Sequence, residues 1–225
     1  MNMFFYENDL VSQELDIAKL VSDPEAYSEM VMRYSCALLE METRLNVLSK
    51  EAQHRQQHIP IDSIRSRIKE PQSICKKLQN LNLEMSLASA MENLHDIAGI
   101  RVITPYLDDI YLVKQMLLRQ DDVKLLDEKD YIASPKENGY RSLHLILSIP
   151  VFFEQKKEML TVEVQLRTIA MDWWASMEHE LNYKQDLDNK EEISRQLKRV
   201  GDVISQTDNR MQELFYLINS NRSIR

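Results

Sequence analysis

Thr161-Val162-Glu163-Val164-Gln165-Leu166-Arg167 alternates apolar and polar side chains at every step. A β-strand has a side-chain period of two, so Val162, Val164 and Leu166 point to one face and Glu163, Gln165 and Arg167 to the other. Two structures fit that pattern: a half-solvated sheet, or a sheet whose polar face lines a cleft. The cleft gains weight from a second carboxylate on a neighbouring strand. Asp96 in His95-Asp96-Ile97-Ala98-Gly99-Ile100-Arg101 is the candidate. Ile97 to Thr104 is rich in β-branched residues and reads as a strand, with Asp96 at its start and Gly99 inside it. Strict alternation would send Asp96 and Arg101 to opposite faces, and a bulge at Gly99 is expected to re-aim them toward one cleft. Two carboxylates with no His/Cys cluster beside them suit Mg²⁺ better than zinc.

Outward from this pair, strands and helices alternate. Ser63 to Ile68 reads as a short strand, and a helix starts near Pro71 carrying Ile74, Lys77 and Leu78. Tyr106 to Leu118 reads as a helix, with Ile110, Val113 and Leu117 on one side. Val123 to Tyr131 reads as a strand, Ala133 to Gly139 as a loop, and Ser142 to Ile149 with Leu160 to Arg167 as a strand pair. Upstream, Asp23-Pro24-Glu25 is an N-cap with proline at the first helical position. Met30, Tyr34, Ala37, Met41, Leu45, Leu48 and Ala52 then recur at helical spacing and end before Pro60. Downstream, helices run from Ile169 to Tyr183 and from Lys190 to about Asn219. The last carries Ile193, Leu197, Val200, Ile204, Met211, Leu214 and Ile218, a stripe long enough to need a partner. The expected class is α+β: a mixed central sheet of about five strands flanked by helices, with helical extensions at both ends. The expected division is a helical segment over 1–60, a catalytic core over 61–185 and a C-terminal helix over 186–225, which serves oligomerisation.

Composition removes other classes. The chain has 225 residues and only three glycines, Gly99, Gly139 and Gly201. Neither a P-loop nor a dinucleotide fingerprint can be built from glycines so spaced. Nucleotide phosphates must therefore be held by side chains. The net charge of −8 argues against a nucleic-acid coat protein and leaves room for a basic pocket inside an acidic shell. Cys36 and Cys75 form no metal or redox motif and read as buried thiols in a reducing compartment. The opening stretch from Met1 to Asp9 turns acidic at once and does not read as a signal peptide. No apolar run is long enough to span a bilayer.

Basic residues cluster twice. Arg65, Arg67, Lys69, Lys76 and Lys77 face only Glu70 in sequence; a solvated helix start is the alternative to a phosphate site. The second cluster runs from Lys129-Asp130-Tyr131 to Lys136-Glu137-Asn138-Gly139-Tyr140-Arg141-Ser142-Leu143-His144. Lysines suit phosphates, and a tyrosine beside asparagine suits base stacking and base-edge contacts. Two acids for a metal and two basic groups for two polyphosphates make the layout for phosphoryl or pyrophosphoryl transfer between two nucleotides. The His95-Asp96 dipeptide also occurs in metal phosphohydrolases, but His54, His58, His144 and His179 bring no supporting motif.

Arg67-Ile68-Lys69, Asp96 to Arg101, Lys129-Asp130-Tyr131-Ile132, Pro135 to His144 and Glu163 to Thr168 together resemble the synthetase domain of the RelA/SpoT alarmone enzymes. Met171 to His179 and Tyr183-Lys184 continue the likeness. The chain lacks the hydrolase and regulatory parts of the long enzymes, and so is similar to the stand-alone small alarmone synthetases, leaning toward the RelP rather than the RelQ branch. The resemblance implies a nucleotidyltransferase-like fold and a GTP pyrophosphokinase in the cytoplasm. Such an enzyme moves pyrophosphate from ATP to the 3′-hydroxyl of GTP or GDP, giving pppGpp or ppGpp plus AMP. It implies that Arg67 and Arg101 flank the adenine and that Lys69 and Lys77 hold the donor phosphates. Asp96 and Glu163 bind Mg²⁺, and Glu163 is also the base. Tyr140 stacks on guanine through its ring, with Asn138 nearby. Lys129 and Lys136 hold acceptor phosphates, supported by His144 and Gln165. A homotetramer is implied, with neither a membrane nor a stable nucleic-acid partner. One departure stands out: Asp127 occupies a position where some relatives carry a basic residue. A catalytically silent nucleotide sensor or RNA-binding module of the same fold is the alternative.

Overall fold

The computed structural model describes residues 15–55, 58–183 and 190–222. The acidic opening from Met1 to Asp9, Lys184 and the boundary expected at 185–186 lie outside them. The elements are α1 (Pro24–His54), β1 (Ser63–Ile68), α2 (Pro71–Asn80), α3 (Leu87–Asn93), β2 (Ala98–Thr104), α4 (Leu107–Leu118), β3 (Lys124–Asp130), β4 (Leu143–Phe152), β5 (Lys157–Thr168), α5 (Ile169–Tyr183) and α6 (Lys190–Arg222). Five strands form one mixed sheet in the order β1-β2-β5-β4-β3. Only the central β2–β5 pair is parallel. The α+β expectation holds; the short helix α3 has no counterpart in the sequence reading.

The sheet's two faces are set by the alternation that the sequence displays. Val102, Leu143, Leu145, Leu147, Val162, Val164 and Leu166 point to one face and are wholly buried. Burying each such side chain stabilises the fold by roughly 1.5–3 kcal/mol. The cover is α1, which packs on β1, β2, β4 and β5. Its Met30, Tyr34, Ala37, Met41, Leu45 and Ala52 are buried at the expected spacing. The helix begins where expected, since the Asp23 carboxylate accepts from the Glu25 and Ala26 amides at 3.1 and 3.0 Å. The apolar stripe of α1 thus meets the sheet.

The stripe of α6 behaves differently. Leu197 is buried, but Val200, Met211, Leu214 and Ile218 are exposed. The helix docks instead through Leu197, Gly201, Asp208 and Gln212, whose contacts are largely polar. The Trp174 indole donates to the Leu197 carbonyl at 3.0 Å, Thr168 Oγ1 to Asp208 at 2.7 Å, and the Asp108 amide to Gln212 at 3.0 Å. A helix period places 197, 201, 208 and 212 on one face, and tertiary hydrogen bonds select that face over the more apolar one.

The bulge expected at Gly99 is absent. β2 pairs in unbroken register with both neighbours, Gly99 opposite Arg67 and Glu163, and Arg101 opposite Arg65 and Gln165. Asp96 lies before the strand, in the connection from α3, where strand parity does not bind it. The irregularity falls instead on the edge strand β3, between Leu125 and Asp127.

Candidate active site

The sheet's second face is polar because register aligns the odd members of β1, β2 and β5 with the even members of β4. Arg65 and Arg67 of β1, Gly99 and Arg101 of β2, Glu163, Gln165 and Arg167 of β5, and His144 of β4 share it. A cleft on this face is lined by Arg67, Lys69, Asp96, Arg101, Glu163 and Gln165, with Arg65 and Gly99. Residues nearly a hundred positions apart therefore meet, and the cleft reading of the alternating strand is the one realised.

At the end where the donor is expected, Lys69 and Lys77 both donate to Asp96 Oδ2, at 2.9 and 2.7 Å. Lys69 precedes α2 and Lys77 lies on it, so the carboxylate joins two elements. Burial opposes ionisation of Asp96, yet hydrogen bonds from Lys77 and Lys69 and their charges outweigh it and hold the carboxyl below its ordinary value. Asp96 Oδ1 is buried without a hydrogen-bond partner. Arg67 is exposed and forms no ion pair among the described residues, whereas Arg101 is tied to Asp172 at 3.0 Å.

Glu163 is held from two sides. The His144 Nδ1–H donates to Oε1 at 3.1 Å, and the Gln165 amide donates to Oε2 at 2.8 Å. Burial raises the Glu163 pKa. The His144 hydrogen bond, reinforced by charge when the ring is protonated, and Gln165 more than offset that, and the net shift is downward. Nearby Asp96 pushes the other way. Glu163 is thus an ionised carboxylate well suited to a cation or to a proton taken from a hydroxyl.

At the end where the acceptor is expected, the Tyr140 hydroxyl accepts from Arg167 Nη2 at 2.6 Å and donates to His144 Nε2 at 2.7 Å. The hydroxyl therefore has partners of its own, which the ring-only expectation left out. Lys136 Nζ sits 4.9 Å from the Tyr140 ring centroid and the Arg167 guanidinium 5.2 Å. Asn138 is spent on the turn: its Oδ1 accepts from the Tyr140 amide at 3.1 Å and its Nδ2 donates to Glu178 at 3.2 Å. Lys129, opposite His144 in register, lies 3.4 Å from Asp127, so the departure from the basic residue places an acid on an expected phosphate ligand.

Sequence reading passed over two residues. Arg167 is 4% exposed and also reaches Ser142 and Gln165. Asp172, in the first turn of α5, pairs with Arg101, Arg167 and Arg65 at 3.0, 3.4 and 3.6 Å. The signal for Arg167 was its place on the polar face. An acid opening a helix carries no sequence mark of which arginines it will meet.

The family model described as a region found in RelA/SpoT proteins matches residues 66–188. The GTP pyrophosphokinase YwaC of Bacillus subtilis (strain 168) is 37% identical over 203 residues, covering 90% of this chain and 96% of that protein. The GTP pyrophosphokinase YjbM of the same strain is 33% identical, covering 85% of this chain and 90% of that protein. The crystal structure of small alarmone synthetase 1 from Bacillus subtilis, bound to its product pppGpp, superposes with a TM-score of 0.79 at 32% identity. It covers 87% of this chain and 99% of that one. With its ionised Glu163, its lysine-held Asp96 and its cleft between two arginine-bearing strands, the chain belongs to the RelA/SpoT family and matches the small alarmone synthetases along nearly their whole length.

Proposed function

We propose that this protein is a GTP pyrophosphokinase, transferring pyrophosphate from ATP to the ribose 3′-hydroxyl of GTP or GDP to give pppGpp or ppGpp and AMP. The observation that carries this reading is the convergence of Asp96, Glu163, Arg67, Arg101 and Lys69 on one cleft, with Tyr140 hydrogen-bonded to its far wall through His144.

Mg²⁺ fits the residues present. Asp96 offers a buried, unpartnered carboxylate oxygen, Glu163 is ionised, and both line the cleft. Among the described residues no group of three acids, histidines or cysteines gathers, which suits a cation that completes its shell with phosphates and water. When bound, the metal supplies charge neutralisation for the polyphosphate and its leaving group. Arg67 and Arg101 flank the adenine, and Lys69 and Lys77 hold the donor phosphates. Glu163 takes the 3′-hydroxyl proton. The 3′-oxygen then bonds to the β-phosphorus as the α–β bridge breaks and AMP leaves. Tyr140 stacks on guanine, Asn138 fixes the turn that presents it, and Lys129, Lys136, His144 and Gln165 serve the acceptor side.

The exposed apolar side chains of α5 and α6 support assembly as a homotetramer. Ile169, Trp173, Val203, Leu217 and Ile218 are each more than half exposed. Among the described residues no helix is long and apolar enough to cross a membrane; a cytoplasmic place of action is part of the same proposal. The test is purified protein with ATP, labelled GTP or GDP and Mg²⁺, resolved by thin-layer chromatography. A labelled product carrying two further phosphates, dependent on ATP and Mg²⁺, is expected. Nucleotide binding without turnover would make the protein a sensor of the same fold.

A further inference from the structure

Two of the chain's three glycines meet at one point. Gly139, in the acceptor loop, has φ +92°, and a Cβ built there would lie 2.9 Å from the Lys198 Cα of α6. A Cβ on Gly201 of α6 would lie 2.8 Å from the Gly139 carbonyl oxygen and 3.1 Å from Arg141 Nη1. Loop backbone and helix backbone therefore touch with no side chain between them. Glycine weakens a helix interior relative to alanine, so Gly201 answers to that contact and not to the helix. Arg141 locks the crossing, donating to the Gly139 carbonyl and to Asp202, each at 2.9 Å. Trp174, whose indole bonds the Leu197 carbonyl, lies with its ring centroid 6.3 Å from that of Tyr140.

We propose that α6 is a working part of the acceptor site, with Gly201, Asp202 and Arg141 as positioning residues that fix Gly139 and hence the Tyr140 ring for the guanine nucleotide. Gly139 and Arg141 lie inside the 66–188 stretch that matches the family and Gly201 and Asp202 beyond it, so the clamp joins that stretch to the helix that follows it. Gly139 immediately precedes Tyr140, and its positive φ aims the ring. Moving the Gly139 carbonyl away from a Cβ on residue 201 turns that aim. The donor cleft, built on β1, β2 and β5, contains nothing from α6. The clamp thus acts on one nucleotide only.

The inference rests on the pyrophosphokinase reading, and the experiment separates the two. Gly201→Ala, Asp202→Asn and wild type are compared as full-length proteins by GDP titration, by steady-state KM for GTP and for ATP, and by hydrogen–deuterium exchange over 135–141 without nucleotide. Base stacking governs affinity by about 5- to 150-fold, and a misaimed ring forfeits part of it. Gly201→Ala is expected to raise the GTP KM and GDP Kd at least about fivefold with the ATP KM unchanged, and to speed exchange in the loop. Asp202→Asn, on a half-exposed side chain that the fold tolerates, is expected to move the same quantities the same way by a smaller factor. Unchanged acceptor constants in Asp202→Asn, or equal rises for ATP and GTP in either variant, would overturn the clamp. A wild type that neither binds GDP nor turns over would overturn the pyrophosphokinase reading, while loop exchange would still report on the contact.

Discussion

The two halves of the cleft are built by different means. The donor half is a product of strand register: Arg65, Arg67, Gly99, Arg101 and Glu163 share a face because paired strands have a period of two. It stays open, with Arg67 exposed. The acceptor half is a product of tertiary packing: Tyr140 is set by Asn138, Arg167, His144, Lys136 and the backbone of α6. A site built on register tolerates the loss of a charge and keeps its shape. One built on packing loses shape with each contact. The proposed chemistry falls at the seam, where Glu163 belongs to a donor-side strand and is held by His144 of the acceptor side.

The largest effect should come at that seam. Glu163→Gln keeps the side chain's size and its place in β5 but removes the charge. General-base assistance is worth about 10²–10⁴-fold, and a weakened metal site adds to it. Synthesis is expected to fall at least roughly 10³-fold with thermal stability near wild type. Asp96→Asn is expected to do the same while leaving Lys69 and Lys77 without their anion. A near-normal rate in either variant at saturating Mg²⁺ would remove that residue from catalysis.

Next comes the acceptor half. Tyr140→Ala removes a stacking surface worth about 1–3 kcal/mol, or roughly 5- to 150-fold in GTP and GDP affinity. Tyr140→Phe separates the two construction principles. If only the ring mattered it would be silent. The hydroxyl, however, joins Arg167 to His144, and removing it takes from Arg167 Nη2 one of its two acceptors, leaving Gln165 Oε1 at 2.7 Å, and takes from His144 its Nε2 partner, at a cost of about 1 kcal/mol. Tyr140→Phe is therefore expected to lower the thermal midpoint and the acceptor affinity while sparing the ATP KM. Isothermal titration of each nucleotide reads this, and a Phe variant indistinguishable from wild type would return Tyr140 to a purely stacking role.

A smaller effect is expected from Arg67→Lys and Arg101→Lys, and the two should differ. Lysine keeps the charge and loses the planar guanidinium that stacks on a base. Arg67 is free of ion pairs among the described residues, so its replacement should raise the ATP KM alone. Arg101 pairs with Asp172, which also holds Arg167, so its replacement should raise the ATP KM and lower stability as well. Matching losses in the two variants would mean that the Asp172 tie carries nothing.

These contrasts also explain what could be read from the sequence. Alternation in Thr161 to Arg167 fixed which residues of β5 face the cleft, because periodicity is local. Lys69, Lys77, Asp96, Arg101 and Glu163 were all expected in the site, and the fold gathers them. The bulge at Gly99 was a wrong solution to a real problem: Asp96 reaches the cleft from outside the strand, and strand ends are poorly marked in sequence. The face by which α6 docks within the chain is not legible in its apolar stripe, because the docking face carries Gly201, Asp208 and Gln212, while apolar Val200 and Met211 stay outside. Hydrophobic periodicity cannot reveal a face chosen by hydrogen bonds and a glycine contact.

The smallest effect, and the most direct measure of how far one half tunes the other, is a displacement along the pH axis. Burial pushes the Glu163 pKa up, and the hydrogen bond from His144 is foremost among the interactions that bring it down. In the proposed mechanism the ionised form is the base, so the acid limb of kcat is expected to fall where Glu163 titrates. His144→Ala removes the lowering partner and leaves the burial. The folded-state pKa must rise, and the acid limb must move to higher pH. Stability shifts with it. In wild type the lowered pKa contributes stability present above the unfolded-state value and lost as pH falls through the folded-state value. In His144→Ala that contribution shrinks or reverses, so the variant's deficit should be largest near neutral pH and narrow on acidification. Thermal midpoints and kcat measured from neutral pH down to pH about 4, close to the ordinary glutamate value, test both trends. An acid limb that stays in place, with a stability deficit independent of pH, would mean that His144 merely fills space between the two halves.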